Sequence, residues 1–134
     1  MHRQKQADHK MDYKNDIGYR KETLKKLLYN IQKSEDLIVQ ALYDDFKKPE
    51  FEAVLTETNY VISELKDTIK NINNWAEPKR VFPSLLNFPS TDYIYKEPYG
   101  NVLVIAPWNY PFQLALCPLI AAVAAGNRVD KKPS

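Results

Sequence analysis

The stretch Val102-Leu103-Val104-Ile105-Ala106, continued by Pro107-Trp108-Asn109-Tyr110-Pro111 and then by the apolar run from Phe112 to Ala125, decides the fold. The first run is a strand that is apolar on both faces and therefore wants cover on both sides. The second run is long enough for a helix starting at Pro111. It is closed by Gly126-Asn127, two residues that tolerate left-handed φ. The pentapeptide between them is then a strand-to-helix turn, and strand, turn and helix together look like half of a parallel βαβ unit. Its two prolines fix φ and remove backbone donors, whereas Asn109 carries both a donor and an acceptor. From the residues alone, Asn109 has two readings. A carboxamide held rigidly at such a turn is a good oxyanion donor, and a turn asparagine also bonds its own backbone.

Working outward toward the N-terminus, Tyr93 and Tyr95 alternate with Asp92, Ile94 and Lys96, which predicts a strand over Thr91–Glu97 with one aromatic face. Pro98-Tyr99-Gly100-Asn101 supplies the turn that follows. Before it, a segment containing Pro78, Pro83 and Pro89 has no periodicity and is expected to be a traversing loop without regular elements, running to about Ser90. Three helices are predicted further back. Leu24, Leu27, Leu28 and Ile31 form one apolar face. Ser34 is a candidate N-cap for a second helix that carries Leu37, Ile38, Ala41 and Leu42 and ends near Lys47-Lys48. Pro49 opens a third, in which Phe51, Val54, Leu55, Thr58, Ile62, Leu65, Ile69 and Ile72 form the stripe. The charges of that helix, Glu57, Glu64, Lys66, Asp67 and Lys70, are expected on its solvated face.

Beyond the helix, Arg128-Val129-Asp130-Lys131-Lys132-Pro133-Ser134 is nearly all charged where a second parallel strand should stand, so the unit is expected to be incomplete. The organisation read from the sequence is a polar tail over 1–18, a helical segment and proline-rich loop over 19–90, and a hairpin with an incomplete strand-helix unit over 91–134.

Composition excludes several classes. The chain has 134 residues, 44% of them hydrophobic, which suffices for a core. Its charge of +2 comes from 19 basic and 17 acidic residues that are interspersed, so nucleic acid is not an expected partner. One cysteine forms no internal disulfide, and His2 and His9, both in the polar tail, form no metal cluster. The tail has no apolar segment of the secretory kind, and a cytoplasmic chain is expected. The uncharged stretch from Asn101 to Asn127 is long enough to raise a membrane span. Its prolines, Asn109 and Gln113 argue against that, because they would leave polar groups unsatisfied in lipid. With three glycines there is no dinucleotide-binding glycine fingerprint, P-loop or nucleophile elbow. Cys117 lies in the apolar helix with no basic residue within seven positions, and reads as a small hydrophobe.

In order and spacing, Glu97-Pro98-Tyr99-Gly100, the strand Val102–Ile105, Pro107-Trp108-Asn109-Tyr110-Pro111-Phe112, Pro118-Leu119, Ala121 to Asn127 and Lys132-Pro133-Ser134 resemble the aldehyde dehydrogenase superfamily. Asp44-Asp45-Phe46-Lys47-Lys48 and Asn74-Trp75-Ala76 make the resemblance most like the class 3 or fatty-aldehyde type. The resemblance implies an α/β fold: N-terminal helices, a β-hairpin, and the first strand-helix unit of a truncated Rossmann-like domain. It also implies thiolate attack on an aldehyde, hydride transfer to NAD or NADP, and a homodimer. Asn109 matches the oxyanion asparagine. Ala106, Pro107 and Trp108 match positions along the nicotinamide side of the cofactor, and Lys132 matches a lysine that contacts the adenosine ribose. Tyr93 and Tyr95 fall in what resembles the oligomerisation hairpin.

There are departures. Asp130 and Lys131 replace apolar strand residues, and the family's nucleophilic cysteine and general-base glutamate match nothing in this chain, so the chain by itself is expected to be inactive. The alternative reading is a non-catalytic helical module that binds a partner through Ala115–Ala125 and a helical face including Ile62 and Leu65.

Overall fold

The computed structural model describes residues 16–83, 86 and 89–133. The tail histidines His2 and His9 lie outside them. Helix α1 (Ile17–Lys33) starts at Asp16, whose carboxylate accepts the Tyr19 amide at 3.1 Å. An N-cap aspartate of this kind satisfies one of the amides that the first turn leaves free. Helix α2 (Glu35–Phe46) follows after Ser34. Ser34 stands at the N-cap position, but its hydroxyl makes no cap bond, and only its carbonyl serves, accepting Ile38 N–H at 3.0 Å. Lys47 then turns left-handed, with φ of 52°, and ends the helix ahead of Pro49 as expected.

The third predicted helix is continuous but not uniform. It comprises α3 (Glu50–Ala53), a π-helical turn over Val54–Thr58, and α4 (Asn59–Ala76). The wide turn changes the phase of the apolar stripe. Phe51 is 79% exposed and Leu55 is exposed as well, while Ala53, Glu57, Thr58, Val61, Ile62, Leu65 and Ile72 are buried. The expectation that Glu57 lies on the solvated face is therefore wrong. Ile62 and Leu65 belong to the core with Leu24, Ile31, Val61, Ile72 and Ile120. They are not available as a partner face.

Two small sheets complete the chain. In the first, β1 (Lys79–Val81) pairs antiparallel with β2 (Asp92–Ile94). The proline-rich segment thus contains a strand after all: Pro78 and Pro83 flank β1 and do not enter it, so no ladder bond is lost. The strand expected over Thr91–Glu97 is shorter than predicted, and the rings of Tyr93 and Tyr95 lie 6.3 Å apart on one side of it.

In the second sheet, β3 (Asn101–Ala106) and β4 (Arg128–Pro133) run parallel, connected through α5 (Pro111–Ala124). The incomplete unit expected from the sequence is corrected here, since the charged segment is the second strand. Backbone groups make the ladder, and charged side chains are tolerated because much of β4 faces solvent. Helix α5 covers Val104 and Ala106, and the other face of β3 is open, with Leu103 60% and Ile105 64% exposed.

Among the described residues no helix is long and apolar enough to cross a membrane. Helix α5 stops at Gly126, whose φ of 87° needs no Cβ penalty, with the Gly126 and Asn127 amides returning to Val123 and Ala122 carbonyls. The Asn127 carboxamide then accepts Gly100 N–H at 2.9 Å, and Arg128 N–H donates to the Gly100 carbonyl at 2.7 Å. These bonds align the starts of the two parallel strands.

Candidate active site

The site begins where β3 ends. Ala106 is buried under α5, and the chain leaves the sheet at Pro107. Trp108 and Asn109 are exposed on the turn, Trp108 at 71%. Tyr110 is the N-cap of α5 and Pro111 its first residue, a position where the missing proline N–H costs nothing. The Asn109 carboxamide makes no hydrogen bond among the described residues. The self-bonded turn asparagine is therefore not the arrangement observed.

A buried network fixes the turn from below. Glu57, 0% exposed, accepts Gln113 N–H at 2.8 Å and Phe112 N–H at 3.1 Å on one carboxylate oxygen. Its other oxygen takes the Lys48 ammonium at 2.6 Å. A carboxylate at a helix N-terminus satisfies orphan amides and is attracted by the aligned peptide dipoles. Lys48, itself buried, also sits 4.3 Å from the centroid of the Tyr110 ring, within range of a cation–π contact.

Local geometry explains how both charges arrive there. The left-handed Lys47 and the following Pro49 swing Lys48 inward between α2 and α3. The π-turn, closed by Asn59 N–H on the Val54 carbonyl, carries Glu57. At the opposite end of α5, Arg20 donates to the Ala124 carbonyl at 2.8 Å, a cation on the negative helix terminus. Burial pushes the Arg20 guanidinium below its usual range, and Asp16 partly offsets this.

Sequence reasoning missed Lys48 and Glu57 as site residues. No local signal marks the pair, because the helix it serves begins more than fifty residues later.

The five residues singled out from the sequence lie at one edge. Ala106, Pro107, Trp108 and Asn109 continue from the carboxyl end of β3, and Lys132, near the carboxyl end of β4, is in register with Ile105. In open parallel sheets ligands bind in the crevice outside the carboxyl ends of the strands. A cleft of about 430 Å³ opens there, lined by Leu42, Phe46, Ala106, Pro107, Trp108 and Lys131, with Asn109 and Lys132 outside its lining. Gly100 and Gly126 lie at the other edge, before the amino ends of β3 and β4.

Cys117 is half-buried on α5 against the core. Burial, with a smaller contribution from Glu64, pushes its thiol up from the ordinary cysteine value. It is an unactivated hydrophobe, not a nucleophile.

A parallel strand-helix-strand unit behind N-terminal helices is an α/β architecture, and the chain belongs to the aldehyde dehydrogenase family, whose sequence profile matches residues 4–134. Members of aldehyde dehydrogenase family 3 are among its relatives. It is 50% identical over 119 residues to the 4,4'-diaponeurosporen-aldehyde dehydrogenase of Staphylococcus aureus, covering 89% of this chain and 26% of that protein. It is 44% identical over 111 residues to aldehyde dehydrogenase family 3 member H1 of Arabidopsis thaliana, covering 83% of this chain and 23% of that protein. The chain thus spans about a quarter of the length of these curated relatives.

Among solved structures, the substrate-bound state of Staphylococcus aureus AldH superposes with a TM-score of 0.86 at 44% identity, covering 96% of this chain and 30% of that one. More distant structures of the same fold, PnpE and the succinic semialdehyde dehydrogenase of Streptococcus pyogenes, were solved with nicotinamide adenine dinucleotide and with NADP+ respectively. The architecture is the N-terminal part of that Rossmann-like α/β fold.

Proposed function

We propose that this chain forms the N-terminal part of an NAD(P)-dependent aldehyde dehydrogenase that oxidises aldehydes to carboxylic acids, with Asn109 as the oxyanion donor. The observation that carries this reading is a carboxamide with no hydrogen bond among the described residues, on a turn fixed at both sides, by β3 before it and by the Glu57-capped α5 after it. A donor held in this way needs no reorganisation when charge develops on the aldehyde oxygen. The side-chain N–H of Asn109 would donate to that oxygen as a nucleophile adds to the carbonyl carbon.

The sheet edge suits one flank of the cofactor. Pro107, Trp108 and Lys132, all exposed, lie at the carboxyl ends of the strands, where the hydroxyl groups of a ribose would be held. When bound, NAD(P)⁺ supplies the hydride acceptor. The chain's part is to bind one side of it, to orient the aldehyde and to stabilise the oxyanion.

The nucleophile comes from elsewhere in the enzyme, because the single cysteine here is packed on the core and burial pushes its thiol pKa up, away from the thiolate form. The 134-residue chain alone is accordingly inactive. The exposed Tyr93 and Tyr95 of the β1–β2 hairpin are proposed as part of a homodimer contact.

The test has two arms. In the complete enzyme, Asn109→Ala is expected to lower kcat by about 10²–10³-fold, the cost of removing one oxyanion donor, and a loss below tenfold refutes the role. NAD(P)-dependent aldehyde oxidation by the isolated chain would refute the division of labour.

A further inference from the structure

We propose that Glu57 and Lys48 are positioning residues for Asn109, and this rests on the reading of Asn109 as the oxyanion donor. Asn109 makes no hydrogen bond of its own among the described residues, so its placement depends on what holds its neighbours. On its N-terminal side the chain is fixed by Ala106, buried under α5. On its C-terminal side the Tyr110 ring lies on the Lys48 ammonium, and the Phe112 and Gln113 amides converge on one oxygen of Glu57. That oxygen, shared by two adjacent amides, sets the rotational phase of the first turn of α5. The second oxygen ties this turn to Lys48.

A buried ion pair is a poor device for stability alone, because apolar residues of similar volume commonly do as well. It is a good device for direction. The carboxylate has three donors, and the wide π-turn that carries it is a rare local geometry frequently found at functional sites. Misplacing a reacting group by about an ångström can lose about a hundredfold in rate. Helix α5 can therefore keep its fold while Asn109 loses its aim.

The experiment is a double-mutant cycle in the complete dehydrogenase, assayed with hexanal and saturating NAD⁺ or NADP⁺. Glu57→Gln keeps the side-chain shape but turns an N–H group toward Lys48 or the helix amides. It is expected to lower kcat by about tenfold to a hundredfold, to change the aldehyde KM by less than about threefold, and to cost almost nothing further in the Asn109→Ala background. Tyr110→Leu leaves both charges buried and paired, so it tests the same coupling if Glu57→Gln does not fold. Its expected loss in kcat is about two- to fivefold, again absent without Asn109.

If either substitution costs the same factor with and without Asn109, the positioning role is overturned while the oxyanion reading stands. If Asn109→Ala alone costs less than tenfold, the oxyanion reading fails and the positioning role fails with it.

Discussion

Removing the Glu57 carboxylate should be among the most damaging single changes in this chain. Glu57→Ala leaves the Lys48 ammonium buried with no anion and strips the acceptor from the Phe112 and Gln113 amides. Breaking a buried ion pair from one side costs about 3–5 kcal/mol. For a chain of 134 residues, each kcal/mol moves the unfolding midpoint by roughly 3–4 °C. The expected fall in Tm is therefore roughly 9–20 °C, since the free energy lost is a large share of the ~5–15 kcal/mol that holds a domain folded. Thermal unfolding followed by circular dichroism measures it.

The control is the double replacement Glu57→Leu with Lys48→Met, which removes both charges together. It should be more stable than Glu57→Ala alone, because no lone ammonium is left inside, although the two helix amides still lack an acceptor at about 1–3 kcal/mol each. A fall below about 3 °C for Glu57→Ala, or a double variant no more stable than the single one, would mean that the charges are solvated and the network is not the one described.

Two further outcomes follow from the structure. Cys117 has its thiol pKa raised by burial, so its alkylation by iodoacetamide at neutral pH should be slower than that of a free cysteine in the unfolded chain. The sign for stability is the same: the contribution is fully present below the ordinary thiol pKa and is lost as pH rises through the raised folded value, which urea titrations on either side of that range would detect. Gly126→Ala forces a side chain into φ of 87° at the stop of α5 and should cost about 1–2 kcal/mol in the same unfolding measurements, without affecting any site residue.

What the sequence made legible was the part governed by local pattern. The apolar run, the proline turn, the apolar helix and the glycine stop each carry their own signal, so β3, α5 and the position of Asn109 between them were readable. Periodicity also located three helices. It failed where the period itself changed: a π-turn cannot be seen in a 3.6-residue pattern, so Phe51 and Leu55 were put inside and Glu57 outside. β4 was obscured by composition, because Asp130, Lys131 and Lys132 look like solvated chain until backbone pairing with β3 is known. β1 was hidden by prolines that turn out to flank it. The Lys48–Glu57 pair spans nine residues and reaches a helix that begins more than fifty residues later, a relation that no local window contains.

Helix α5 begins at the very edge where a nucleotide would be expected to lay its phosphates, and the amino end of a helix is ordinarily a ready seat for such a group. Here that seat is taken from within: Pro111 has no N–H to offer, and the amides of Phe112 and Gln113 are already spent on Glu57. A pyrophosphate approaching this turn would meet a carboxylate behind the amides it needs. Under the proposed function, a phosphate would be gripped away from this helix end, which leaves the first strand-helix unit to face the nicotinamide end of the cofactor and the aldehyde carbonyl.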